Sequence, residues 1–427
     1  MNKPIFIRNA NQLVSFKGSS HSPLTGRSME NLMILSNGSV WIEKGRIADA
    51  GEDSILAEKF KDRIHEASVI DAEGKLVTPG LVDPHTHLIH SGTREEEFNR
   101  RLHGASYMEI MESGGGIHAT AAATQKADID QLISEGLARL DSFLLHGVTT
   151  LEAKSGYGLT LEQEIKQLEA AASLSCQHPI DIVHTFMGAH AIPKRYKDKP
   201  DQFVDLVSQE MIPEIAKRGL AEFNDVFCER GVFTPEQTRK ILRAGIAHGL
   251  IPKIHADEIE PYGGAELAAE MGAISADHLL RASDYGIEKM AERGVTAVLL
   301  PGTALFLMTD PVNGRKMIDR GVPVALATDF NPGSSPTVSL GLIMNLGCLR
   351  MGMSPAEVLA AATINAAHAI NRGRDIGSIE KGKKADIVLF NVPNYLRLQY
   401  EFGVNHVHTV IKEGEVVVEN GKLVRKI

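Results

Sequence analysis

Leu76-Val77-Thr78-Pro79-Gly80-Leu81-Val82-Asp83-Pro84-His85-Thr86-His87 runs an apolar strand straight into a His-x-His pair. Side chains alternate across a strand with period two, so His85 and His87 fall on one face. Two imidazoles on one face at the mouth of a strand are half of a metal site. If the other half stands at the ends of other strands, one pattern decides both fold and chemistry.

Outward from this stretch, apolar strands recur at 81–82, 148–151, 180–183, 225–228, 252–255, 273–276, 295–299 and 322–327. Each is followed by a helical pattern, and about eight strand–helix repeats predict a TIM-like (β/α)8 barrel of the α/β class. A doubly wound open sheet would carry a Gly-rich nucleotide turn after its first strand, and none stands there. Ser354-Pro355-Ala356-Glu357 combines an N-cap serine, proline at N1 and glutamate at N3, which predicts the start of the helix that closes the barrel. The two ends of the chain read as β. Ser39 to Ile47 and Val410 to Val418 each place short strands around a glycine turn, and Asn420-Gly421 marks another hairpin. They predict a small β-sandwich domain built from both termini: 1–75 as its N-terminal part, 76–375 as the barrel, and 376–427 as its C-terminal part.

The composition narrows the partners. With 427 residues, 43% of them hydrophobic and 23% charged, the chain can bury a large core. A net charge of -9 argues against nucleic acid and anionic membranes. Cys176, Cys228 and Cys348 lack C-x-x-C spacing and suit a reducing compartment. The N-terminal segment has no apolar signal-peptide core, and no stretch approaches the roughly 18 apolar residues of a membrane span. A cytoplasmic protein is expected.

Barrel chemistry sits at the C-terminal strand ends. The first end presents His85 and His87; the second Glu152-Ala153-Lys154-Ser155-Gly156-Tyr157; the third His184 and then Gly188-Ala189-His190. The fifth presents His255-Ala256-Asp257-Glu258, the sixth Asp277-His278, and the eighth Thr328-Asp329-Phe330-Asn331. His85, His87, His255 and Asp329 make a donor set for one divalent metal ion, zinc or iron, with water completing the shell. His278 is a candidate to hydrogen-bond that water or a substrate. Glu258 follows His255 closely enough to act as an acid or base. Taken singly, each has a plain structural reading: Asp329 would cap a helix, and Glu258 would be a solvated loop residue. Arg94 suits bidentate binding of a substrate carboxylate, while the rest of the run to Arg101 reads as a solvated helical face. Gly114-Gly115-Gly116 lacks the Gly-Lys-Ser/Thr of a P-loop and reads as a loop over the barrel mouth.

These motifs resemble the amidohydrolase superfamily. The resemblance rests on 79–87, on Thr363-Ile364-Asn365-Ala366-Ala367 and on 377–388. Within it, 113–117, 152–159, Phe186-Met187-Gly188-Ala189-His190, 255–258 and 329–334 are most similar to members that open 4-imidazolone-5-propanoate to N-formimidoyl-L-glutamate in histidine degradation. The resemblance implies a single metal, so Lys154 is expected to be structural rather than a carboxylated bridge. It implies Arg94, Tyr157, His190, Glu258, Asn331, Gly333 and Ser334 around an anionic heterocyclic substrate, and a homodimer. Glu258, His278 and Asp329 are the expected catalytic residues, with the division of acid and base among them open. A heterocycle deaminase of the same superfamily, or a metal-free interaction scaffold, are the alternative readings.

Overall fold

The computed structural model describes residues 3–104, 109 and 115–424. Ser113 and Gly114 of the glycine-rich stretch lie outside the described residues. The chain opens with β1 (Ile5–Val14), β2 (Ile34–Glu43), β3 (Arg46–Glu52), β4 (Ser68–Asp71) and β5 (Leu76–Pro79). It continues through β6 (Leu81–Asp83), β7 (Val148–Lys154), β8 (Asp181–Ala189), β9 (Phe223–Cys228), β10 (Ile251–Ala256), β11 (Ser275–His278), β12 (Thr296–Leu299) and β13 (Val324–Leu326). β14 (Ile387–Phe390), β15 (Val407–Lys412), β16 (Glu415–Glu419) and β17 (Lys422–Leu423) end it.

β6 to β13 form an eight-stranded sheet in chain order, parallel throughout. The sheet curls into a nearly closed barrel. Its first and last strands meet at their C-terminal ends, where the Asp329 N–H donates to His85 O at 3.1 Å and the His87 N–H to Phe330 O at 2.9 Å. Parallel strands are buried on both faces, and β6, β7, β11, β12 and β13 are buried along their whole length. The main core fills the shell between barrel and helices, with Leu140, Phe143, Leu151, Leu168, Ile241 and Leu326 among its members. A second apolar cluster, including Val82, Phe223, Val298, Ala366 and Ile370, seals the opposite end of the barrel with the helix Ile364–Ala369.

The terminal strands form one nine-stranded mixed sheet, ordered β17-β16-β15-β14-β5-β1-β2-β3 with β4 also on β1. The sheet folds over to enclose Ile7, Val40, Ile42, Ile387, Leu389 and Ile411 in a single core, which makes the sandwich. One feature of the opening stretch differs from its sequence reading. The apolar run 76–82 is two strands: β5 pairs with β1 and β14 in the terminal sheet, and β6 starts the barrel. The switch falls at Gly80, whose N–H donates to Asp386 O at 2.8 Å. A Cβ at Gly80 would stand 2.2 Å from Thr149 Oγ1, so only glycine passes there. We therefore propose Gly80, rather than residue 76, as the passage between the two parts.

The helix Pro355–Ala361 starts with the reciprocal capping box expected of Ser354 and Glu357. Ser354→Ala removes one half of it, and the expected loss is about 1 kcal/mol. A lowered denaturant midpoint with unchanged far-UV circular dichroism would check this.

Candidate metal centre and active site

The barrel closure brings the ends of β6 and β13 together, and the metal candidates converge there. One ring nitrogen each of His85, His87 and His255 lies within 4.8 Å of the others. Asp329 Oδ1 stands 3.4 Å from His85 Nε2 and 3.7 Å from His87 Nε2. Its other oxygen, Oδ2, accepts the Thr303 hydroxyl at 2.6 Å, which turns Oδ1 toward the histidines. The backbone at Asp329 is left-handed, with φ of 52°, and the hydrogen bond to His85 O holds it there. All four side chains are buried. Burial holds the three imidazoles well below their usual pKa, so they are neutral and able to offer lone pairs. The same burial pushes Asp329 up to about 7.

The donors fit a cation by their unmet needs. His85 Nδ1 meets Asp277 Oδ2 at 2.6 Å, and His255 Nδ1 meets Asp225 Oδ1 at 3.0 Å. These carboxylates set both rings so that Nε2 carries the lone pair. Among the described residues, Nε2 of His85 and of His255 is buried with no hydrogen-bond partner. Buried polar atoms are normally satisfied, and a divalent ion would satisfy both.

Beneath the histidines lies a charge network that sequence reasoning did not assemble. Lys154 Nζ stands 2.7 Å from Asp225, 2.9 Å from Glu152 and 3.4 Å from Asp277, with every one of these side chains fully buried. Lys253 completes it, pairing with Glu152 at 2.9 Å and donating to Pro84 O at 3.2 Å. Lys154 is thus paired with three buried carboxylates. Asp225 and Lys253 did leave a signal, as charges inside strands predicted to be buried on both faces, and Glu152 stands directly after another such strand.

The rim carries the other candidates. His278 sits at φ of 74°, and its Nδ1 faces Glu258 Oε1 at 3.6 Å. Burial lowers His278 to about 4, while burial and then the nearby Asp329 push Glu258 up to about 8. Asp257 is structural: its carboxylate accepts the N–H groups of Tyr262, Gly263, Gly264 and Ala265 and caps the helix Gly264–Met271. His190 stacks on His87 with centroids 4.8 Å apart, and Tyr157 lies beside both, at 5.6 Å from His87 and 5.4 Å from His190. Asn331 is spent on its own loop, accepting the Gly333 and Ser334 N–H groups at 2.8 Å each and donating to Asp329 O at 2.7 Å. Arg94 reaches this loop, as a Cβ on Gly333 would come within 1.9 Å of its Nη1. His184 stands apart: it lies within β8 and faces Ser175 on the outer helix at 3.1 Å.

Comparisons with known proteins agree with this architecture. The model of the amidohydrolase family matches residues 76–417. A protein of Brevibacillus brevis named imidazolonepropionase is 67% identical over 423 residues, covering 99% of this chain and 100% of its own. One of Bacillus velezensis with the same name is 49% identical, covering 96% of each. Among solved structures, Escherichia coli guanine deaminase superposes with a TM-score of 0.72 at 15% identity, covering 98% of this chain and 100% of its own. Atrazine chlorohydrolase TrzN from Arthrobacter aurescens TC1, complexed with zinc, gives 0.69 at 18%, covering 99% and 97%. These two likenesses speak to the fold.

Proposed function

The chain belongs to the amidohydrolase family, and from that premise we propose a metal-dependent hydrolase that opens 4-imidazolone-5-propanoate to N-formimidoyl-L-glutamate in histidine degradation. The full-length identity to imidazolonepropionases supports the reading. The observation that carries it within the site is Arg94 against Gly333, a cation on the loop that follows Asp329, where an anionic arm would lie.

His85, His87, His255 and Asp329 would hold one divalent ion, zinc or iron. When bound, such an ion supplies Lewis-acid polarisation and makes water a nucleophile near neutral pH. The chain's own groups manage protons and position. Water adds to the ring amide carbonyl, giving up a proton to a carboxylate, and the C–N bond breaks as the ring nitrogen takes a proton. Glu258, held up to about 8, carries a proton at neutral pH and suits the donor to that nitrogen. Asp329 is then the acceptor of the water proton. His278 faces Glu258 and has no hydrogen-bond partner of its own among the described residues, so it is free to stabilise the developing oxyanion. Tyr157 and His190 would flank the ring, and Arg94 would take the propanoate. Asn331 acts through the loop, presenting Gly333 and Ser334.

The test is optical. Protein loaded with zinc or iron is expected to clear the absorbance of fresh imidazolone substrate, to stop after chelation, and to resume on readdition of metal. No clearance by metal-replete protein, with ammonia released from amino-heterocycles instead, would replace this reading with a deaminase. A cytoplasmic homodimer is the proposed setting. The described residues contain no helix long and apolar enough to cross a membrane, and sedimentation would check the assembly.

A further inference from the structure

The run from Arg94 to Arg101 reads in sequence as a solvated face, but its third member after Arg94 is not solvated. The helix Glu95–Leu102 starts directly after Arg94, which brings Glu97 back beside it. Arg94 Nε and Nη2 both donate to Glu97 Oε2, at 2.9 and 2.7 Å. Glu97 Oε1 accepts the Gly116 N–H at 3.0 Å. The two side chains are 19% and 14% exposed, so this pair is largely shielded from the water that makes surface ion pairs weak.

A planar guanidinium has two bidentate edges: Nε with Nη2 on its side, and Nη1 with Nη2 at its end. Glu97 occupies the side edge. The end edge is left, and its Nη1 lies against Gly333, where a Cβ would stand 1.9 Å away. Arg94 is also close enough to the buried Tyr157 to favour its phenolate, against the burial that raises its pKa. Nη1 of the end edge therefore lies at the 331–334 loop, which follows Asp329 in the chain. Without Glu97, a long side chain would regain its rotamers and lose that aim.

We propose that Glu97 is a positioning residue for substrate specificity: it takes the side edge of Arg94, is itself held by the Gly116 N–H, and so directs the end edge at the carboxylate arm of the substrate. The proposal rests on the reading of Arg94 as the carboxylate binder.

The experiment compares the propanoate substrate with its propanamide analogue on holoenzyme variants. Glu97→Ala is expected to raise KM for the propanoate about tenfold, the worth of a misplaced charge-assisted hydrogen bond. kcat should be nearly unchanged, and KM for the propanamide should not move. Glu97→Gln keeps one acceptor for Arg94 and should recover part of the affinity. An equal fall in kcat on both substrates would mean a merely structural role and overturn the proposal. So would an unchanged propanoate KM in Glu97→Ala when Arg94→Met raises it. If Arg94→Met itself leaves the propanoate KM unchanged, the carboxylate reading of Arg94 fails first, and the role of Glu97 falls with it.

Discussion

Lys154→Met is expected to destabilise the protein by about 3–5 kcal/mol, the cost of leaving buried charges without their partner. The reason is the company that Lys154 keeps. Asp225, Glu152 and Asp277 all approach its Nζ within 3.4 Å, and none has access to water. Lys253 pairs directly with Glu152 and acts on Asp225 and Asp277 only through space, so those two carboxylates would lose their direct cationic partner. Like carboxylates in one dry site do not both ionise. Protonation of either weakens its hold on a histidine, Asp277 on His85 and Asp225 on His255. The variant should therefore also bind zinc or iron more weakly, by about 10–100-fold as for other carboxylates that orient metal-bound histidines. Denaturant unfolding and metal titration of the stripped protein read the two effects separately. Wild-type stability together with wild-type metal affinity would remove Lys154 from any role beneath the centre.

Glu258→Gln is expected to lower turnover by about 10²–10⁴-fold, the usual worth of a positioned acid or base. Shape and hydrogen-bonding capacity are nearly kept, so metal content and melting behaviour should stay close to wild type. The pH profile supplies the signature. Burial and the neighbouring Asp329 hold the Glu258 carboxyl up to about 8. A group with a raised pKa is protonated below that value and loses its proton as pH rises through it. The donor form is thus present at neutral pH, and wild-type activity should fall on the alkaline side near 8. That limb should be missing from the residual activity of Glu258→Gln. Near-wild-type turnover would exclude the acid–base role outright.

Much of the barrel was legible because its signals are local. Each predicted strand coincides at least in part with an observed one, from β6 to β13. Period-two alternation predicts His85 and His87 on one side, which they share although β6 ends at Asp83 and only Thr86 bridges onward to Phe330, and strand-end placement singled out His255, His278 and Asp329. The 76–82 run shows where locality ends. Hydrophobicity says that both halves are buried, but it carries no information on which sheet buries them. The pairing of β5 with β1 and β14 and of β6 with β7, on either side of Gly80, is what separates them.

Neighbouring residues suffice for the class of fold, the candidate donor types and the strand ends that bear them, because side-chain chemistry and strand periodicity are local properties. Folding supplies the partner that completes each group: Asp277 for His85, Asp225 for His255, Thr303 for Asp329, Lys154 for the carboxylates, and Gly333 as the neighbour of Arg94. Such pairings depend on which strands lie side by side once the barrel closes. They join residues far apart in the chain, and burial, which gives them their strength, exists only after folding.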